Sequence, residues 1–485
     1  MVSAIAPPVP MTAPPPTSLV VAEPAAMATP VPTTTDVASA PAPAPISTVV
    51  YYEEEVTLLT YPYEEYQSEM VDPHYNWPYK RFDMERFRAE APTPETRTYR
   101  LLVLENAYLK ILILPEIGGR IWQVIHKATN APLFYQNEVV KPTHWGMNNQ
   151  LGWLALGGME WSVPVSEHGY DWGVPWDYLL LQQHADRVAV TVFTPRDGRY
   201  LAAGITITLR AGMAAFEIEP TLTNLADHPL SFSYWHTAML APGSGKHPSP
   251  DLRFLLPTDS VTVHSTGDAT LPAPGAQFSW PIYQGRDFSR LGTYSQYLGF
   301  FEAPQAHGPF VALYDPKYDM GVVRIFPPEI ATGSKVFSLG WQDALESSNF
   351  TDDDSSYVEL HSGLAPTFDD QYTLPAGGMV TWREVWYPVT TIGTVSAANE
   401  LLALAVAERH DAEARAVTLD VYGVRPIDGT IVVQDERERE LARLPFAARP
   451  DQPFHGSQTL DEEKSTRYTI RIEDRAGRLL LQHTP

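Results

Sequence analysis

The chain contains no cysteine. That excludes disulfides, thiol nucleophiles and cysteine-based zinc sites, and it leaves the compartment open. Basic residues are scarce: 34 Lys and Arg stand against 58 Asp and Glu, a formal charge of −24. A field of that sign repels phosphate backbones, so no nucleic-acid partner is expected, whereas a neutral sugar does not feel it. Apolar runs of helix length are missing, so no membrane span is expected. The first Lys or Arg is Lys80, so residues 1–79 lack the positive segment of a signal peptide. No His-Glu-x-x-His or Gly-x-Ser-x-Gly is found. Gly243-Ser244-Gly245-Lys246 lacks the spacing of a phosphate loop, and Asp352-Asp353-Asp354 lacks that of a calcium loop. The reading therefore carries no metal and no cofactor.

What is present is proline, aromatics and short β-type runs. Residues 1–50 are a Pro, Ala and Thr-rich segment, as in Ala40-Pro41-Ala42-Pro43-Ala44-Pro45. Proline favours extended chain and removes backbone donors, so this segment reads as a disordered tail. From Tyr51 onward short runs such as Leu109–Leu114, Val188–Phe193 and Gly321–Phe326 recur between turn residues. They predict an all-β domain over 51–392, with sheets buried on one face. Residues 393–409, rich in Ala and Leu, read as a connecting helix. Residues 410–485 read as a small accessory β-sandwich built on Val417–Tyr422, Thr430–Gln434 and Thr466–Ile472.

Three motifs carry chemistry. Gly118-Gly119-Arg120 follows an alternating strand; paired glycines permit a sharp turn and a close approach to a ligand, and Arg120 offers a five-donor fork for sugar hydroxyls. Thr223-Asn224 precedes a strand bearing Trp235-His236-Thr237, whose histidine titrates near neutrality. Tyr357-Val358-Glu359-Leu360-His361 places Glu359 on one face with Tyr357 and His361, and a carboxylate among aromatics is costly to bury without a task. A fourth stretch, 156–172, packs Glu160, Trp161, Glu167, His168, Asp171 and Trp172 together and reads as a substrate-facing loop.

In this order the motifs resemble the galactose mutarotase-like superfamily, whose best known members are aldose 1-epimerases. The likeness covers roughly 50–390 and is nearest to a bacterial branch often found beside tetratricopeptide repeats. It implies a large antiparallel β-supersandwich and a carbohydrate ligand. It also implies His236 as acid, Glu359 as base and Arg120 as a substrate-orienting residue. The chain departs from the epimerase pattern at the second histidine, for which His144 and His168 are candidates in unmatched settings. Two chemistries follow as expectations. In epimerisation Glu359 and His236 open and close the sugar ring. In glycoside hydrolysis Glu359 and Glu160 act as a carboxylate pair, with Trp161, His168, Trp172 and His361 binding the substrate. The alternative is a glycan-binding module or interaction scaffold without turnover.

Overall fold

The computed structural model describes residues 48–147, 150–302, 305–411, 414–460 and 467–485. The Pro-rich tail lies outside the described residues except at its end. There Val49 is buried and bonds the Ala185 carbonyl at 3.0 Å, and Val50 begins the first strand. Among the described residues the chain is all-β apart from one α-helix, Met84–Glu90, and short 3-10 turns.

A thirteen-stranded sheet forms one layer. Its central order is Ser260–Thr266, Leu298–Glu302, Gly333–Ser338, Val358–Gly363, Trp235–Leu240, Gly158–Ser162, Arg120–His126, Leu109–Leu114, Glu95–Glu105 and Val50–Thr60, all antiparallel. A nine-stranded sheet packs against it. Its middle runs Arg187–Phe193, Leu201–Arg210, Phe216–Asn224, Glu384–Thr390 and Met320–Ile325.

The larger sheet is buried on both faces, not on one. Leu102, Leu104, Ile111 and Ile113 face the second sheet and pack with Val190, Ile205, Ile207 and Ile218. Their neighbours Leu101, Val103, Leu112 and Leu114 face outward into a second core with Tyr63, Phe82, Trp153 and Tyr357. Two buried faces explain why Leu101–Leu104 and Ile111–Leu114 read as unbroken apolar runs.

Between the two sheets sits a carboxylate. Glu384, fully buried, accepts from Arg324 Nε at 2.7 Å, Ser362 Oγ at 2.6 Å, Trp382 Nε1 at 3.0 Å, Trp386 Nε1 at 3.3 Å and His236 Nε2 at 3.2 Å. Burial alone would raise its pKa; Arg324 and His236 instead hold it well below the usual carboxylate range.

Two four-stranded sheets close the chain and enclose their own core of Leu402, Leu419, Val433, Ile470 and Ile472. The helix expected over 393–409 does not form. Ala397–Ala398 and Leu402–Asp411 are paired strands, and the Asn399 side chain accepts from the Leu401 and Leu402 amides to turn the chain between them. Leu402 and Leu404 enter the small core, while Ala403 and Ala405 enter a core shared with Val323, Tyr387 and Val389 of the nine-stranded sheet. A strand with large residues on one buried face and small ones on the other has the composition of a helix.

Removing Glu384 leaves Arg324 buried and uncompensated. Glu384→Ala is expected to cost about 3–5 kcal/mol, read as a lowered midpoint in urea denaturation; a change under about 1 kcal/mol would show that the network is dispensable.

Candidate functional site

Alternation along Val358–Gly363 decides which groups face outward. Leu360 and Ser362 turn toward the inter-sheet core and Glu384. Glu359 and His361 turn to the outer face with Tyr357, as their spacing predicted. Lys335 lies opposite His361 and Phe337 opposite Glu359 on the adjacent strand. Thr237 lies opposite His361 on the other side, and Glu160 opposite Thr237. Directly opposed residues share a face, so one outward row runs Glu160, Thr237, His361, Lys335.

The stretch after Glu160 folds back over this row and, with Trp145, Trp153, Tyr297 and Leu345, encloses a cavity of about 390 Å³. Aromatic walls come from Trp145, Trp153, Tyr297, Phe337 and Tyr357; the polar lining includes His144, Glu167, His168, His264, Lys335, Glu359 and His361.

Three of the four histidines that line the cavity meet a carboxylate; the fourth, His144, packs its ring on Trp145. His168 Nδ1 donates to Glu160 Oε1 at 2.9 Å, and its ring stacks on Trp153 at 3.7 Å and 18°. His264 Nε2 meets Glu167 Oε1 at 3.3 Å. His361 Nε2 meets Glu359 Oε2 at 2.8 Å, and its Nδ1 lies 2.9 Å from the Thr237 hydroxyl. A proton on Nε2 goes to the carboxylate, and the Thr237 hydroxyl then supplies Nδ1. Glu167 takes up φ +59°, a left-handed conformation costly for a residue with a Cβ and found at over-determined sites.

Burial drives the ionisation of this cluster. It raises the Glu359 carboxyl against the opposing pull of Lys335 and His168. It lowers Lys335, opposed by Glu359 and Glu167. His361 falls well below its ordinary value through burial and the nearby Lys335 charge. Glu167 goes the other way: burial alone would raise it, but the His264 hydrogen bond and the charges of His168 and Lys335 bring it down to about 2. Among the described residues no group of His, Asp and Glu is arranged to hold a metal ion.

The structure brings Glu359, His361 and His168 into one cavity. Glu160 stands behind His168, 1% exposed, both oxygens occupied by Trp153 Nε1 at 3.1 Å and by His168 and Arg120. It cannot serve as a second cavity carboxylate; Glu167 takes that place. Arg120 is fully buried and donates to the carbonyls of Ile117, Gly157 and Trp172, leaving no fork for a ligand. Its two glycines turn sharply at φ +71° and +61°, but what they admit at close range is the Trp172 carbonyl and the Trp176 side chain. Trp161 is buried, bonded to the Gly119 carbonyl, and Trp172 is buried with Nε1 3.3 Å from Gln150 Oε1. His236 neighbours outward-facing Thr237 and so points inward, onto Glu384, on the opposite side of the sheet from Glu359. It cannot partner that carboxylate.

Lys335, His264, Trp153 and Tyr297 belong to the site and carried no motif. Lys335 left one signal, a lone cation within the strand Gly333–Ser338.

A depressed folded pKa contributes stability that is complete above the unfolded value and is lost as pH falls through the folded one. The stability advantage of the native chain over Glu167→Gln is therefore expected to be full above pH 4.5 and to shrink toward zero near pH 2. Urea denaturation at stepped pH checks this; an advantage independent of pH over that window would show that Glu167 is not held ionised.

The fold is similar to that of a TPR-domain containing protein from Parabacteroides distasonis, with a TM-score of 0.59 and 20% identity over 73% of this chain and 58% of that one. This chain thus spans little more than half the length of that protein, and the likeness is one of fold alone. Looser similarities include the Slr1438 protein from Synechocystis (TM-score 0.44, 14% identity, 60% of this chain and 96% of that one). Another is a galactose mutarotase-like protein from Clostridium acetobutylicum (TM-score 0.41, 10% identity, 60% and 96%). A family model described as a domain of unknown function (DUF5107) matches residues 71–375.

Proposed function

Within the DUF5107 family, to which this chain belongs, we propose that the chain is an enzyme acting at the anomeric centre of a sugar held in the cavity. One observation carries the reading. Two carboxylates, Glu359 and Glu167, line a single aromatic-walled cavity, and their ionisation is pushed in opposite directions. Separated pKa values on paired titratable groups mark an acid and a base. Glu359, the base in the sequence resemblance, is held toward its neutral form and so takes the acid's part, donating a proton to an oxygen on the anomeric carbon. Glu167, held ionised, takes one from a hydroxyl or a water. Glycoside hydrolysis and aldose epimerisation both need this pair.

The aromatic walls suit the apolar faces of a sugar ring, and the volume of about 390 Å³ falls in the usual range for small-ligand sites. His168, with Nδ1 committed to Glu160, presents its other nitrogen to the ligand. Binding without turnover would require the stacking surfaces but no acid and base of opposed ionisation, which favours the enzyme over a glycan-binding module.

The test uses a panel of nitrophenyl glycosides, read by dye release, and of free aldoses, read by polarimetry. Glu359→Gln and Glu167→Gln are each expected to lower turnover by about 10²- to 10⁴-fold while sugar still quenches tryptophan fluorescence. Sugar binding by the native chain with no turnover anywhere in the panel would leave a binding module. Loss of the fold in both variants would make these structural carboxylates.

A further inference from the structure

Four side-chain cations are buried among the described residues: Arg120, Arg199, Arg324 and Lys335. Three of them sit on carboxylates. Arg120 lies 3.4 Å from Glu160, Arg199 lies 2.6 Å from Asp171, and Arg324 lies 2.7 Å from Glu384. Lys335 is 4% exposed, and no carboxylate oxygen of the described residues comes within 4.0 Å of its ammonium. Among the described residues its one neighbour within hydrogen-bond range is His361 Nε2 at 3.3 Å, the atom already engaged with Glu359 Oε2 at 2.8 Å. Otherwise it lies over the rings of Phe368 and Phe337, at 4.7 and 5.2 Å.

An ammonium has three donors and here finds at most one acceptor. A buried charge without a counter-charge is strongly unfavourable, and the other three buried cations obey that rule. Lys335 alone has no carboxylate of the described residues in direct contact: Glu359 and Glu167 pull on its charge only across a longer gap, which does not offset its burial, and it lies in the wall of the cavity, where an incoming group can complete the pair.

We propose that the ligand is an anionic sugar whose carboxylate or phosphate group meets the Lys335 ammonium beside Phe337 and Phe368. This rests on the sugar-site reading above and narrows it. The two cavity carboxylates leave room for such a charge. Glu359 is held toward its neutral form, and Glu167 is engaged by His264. The net charge of −24 does not oppose it, because surface charges are screened beyond about 8–10 Å at ordinary ionic strength while a buried charge acts at contact. The preference is therefore local to the cavity and opposite in sign to the field of the whole chain.

Trp145 and Trp153 line the cavity and report binding by fluorescence. The full chain is titrated with D-glucose and D-galactose, with D-glucuronate and D-galacturonate, and with glucose 6-phosphate. An acidic sugar is expected to bind roughly ten-fold or more tighter than its neutral parent, and Lys335→Met to abolish that preference. A gain confined to the uronates assigns a carboxylate; a gain confined to the phosphate ester assigns a phosphate. Near-ultraviolet circular dichroism verifies the fold of the variant, with Lys335→Gln as its replacement should the methionine form not fold. Equal affinity of the native chain for acidic and neutral sugars would overturn this inference and leave the sugar site standing. Absence of quenching by any sugar would remove the sugar site itself and the inference with it.

Discussion

The interaction on which the rest of the molecule depends is the Glu384 carboxylate between the sheets. Its donors come from both layers: Arg324 and Trp386 from the nine-stranded sheet, Ser362 and His236 from the thirteen-stranded one. Ser362 is thereby committed to the inside. Because side chains alternate along a strand, that commitment sends His361 and Glu359 to the outside. A slip of one residue would strip Glu384 of its hydroxyl donor and turn the cavity carboxylate into the core. The interior network and the site are thus the two faces of one strand, and the buried ion pair acts as a register pin.

The outer face alone does not make a cavity. It becomes one because the larger sheet is covered there as well, by the layer holding Tyr63, Phe82, Trp153 and Tyr357. That cover excludes water, and exclusion of water moves the titratable groups. Glu359, Lys335 and His361 all shift toward neutrality through burial, while Glu167, nearer the open side and half-buried, keeps its charge through its neighbours. A sheet with one wet face would carry the same residues at ordinary ionisation.

The parts of this arrangement that could be read from the sequence were those confined to one strand. The all-β class and the shared face of Tyr357, Glu359 and His361 follow from a period of two. Relations between strands were not legible in the same way. His236 sits in a stretch, Trp235–Leu240, that is buried on both sides, so no polar alternation marks which way it points. His264 stands at an irregularity between Val263 and Ser265, where the usual parity is broken. Gly118-Gly119-Arg120 has the sequence of a binding element because a turn and an arginine look alike whether they serve a ligand or the chain. Only the surrounding carbonyls show that Arg120 serves the chain. Residues 393–409 have the composition of a helix because the strand that begins at Leu402 alternates in size, Leu against Ala, and not in polarity.

The contrast between the two faces of the sheet separates stability from recognition. Inside, polar groups are closed upon one another: Glu384 takes its donors from five side chains, and Arg324 reaches Ser334 and Ser362 as well. A closed network rigidifies a core but has nothing to offer a ligand. Outside, two groups are left open among the described residues: Lys335 has more donors than acceptors, and His168 is held by Glu160 at one nitrogen. Such groups are unfavourable in the free chain, and they persist because the closed inner network fixes the strands that carry them. Among the described residues the outer face thus differs from the inner one in two places, beside Lys335 and at the second nitrogen of His168, and the proposed sugar site rests on both.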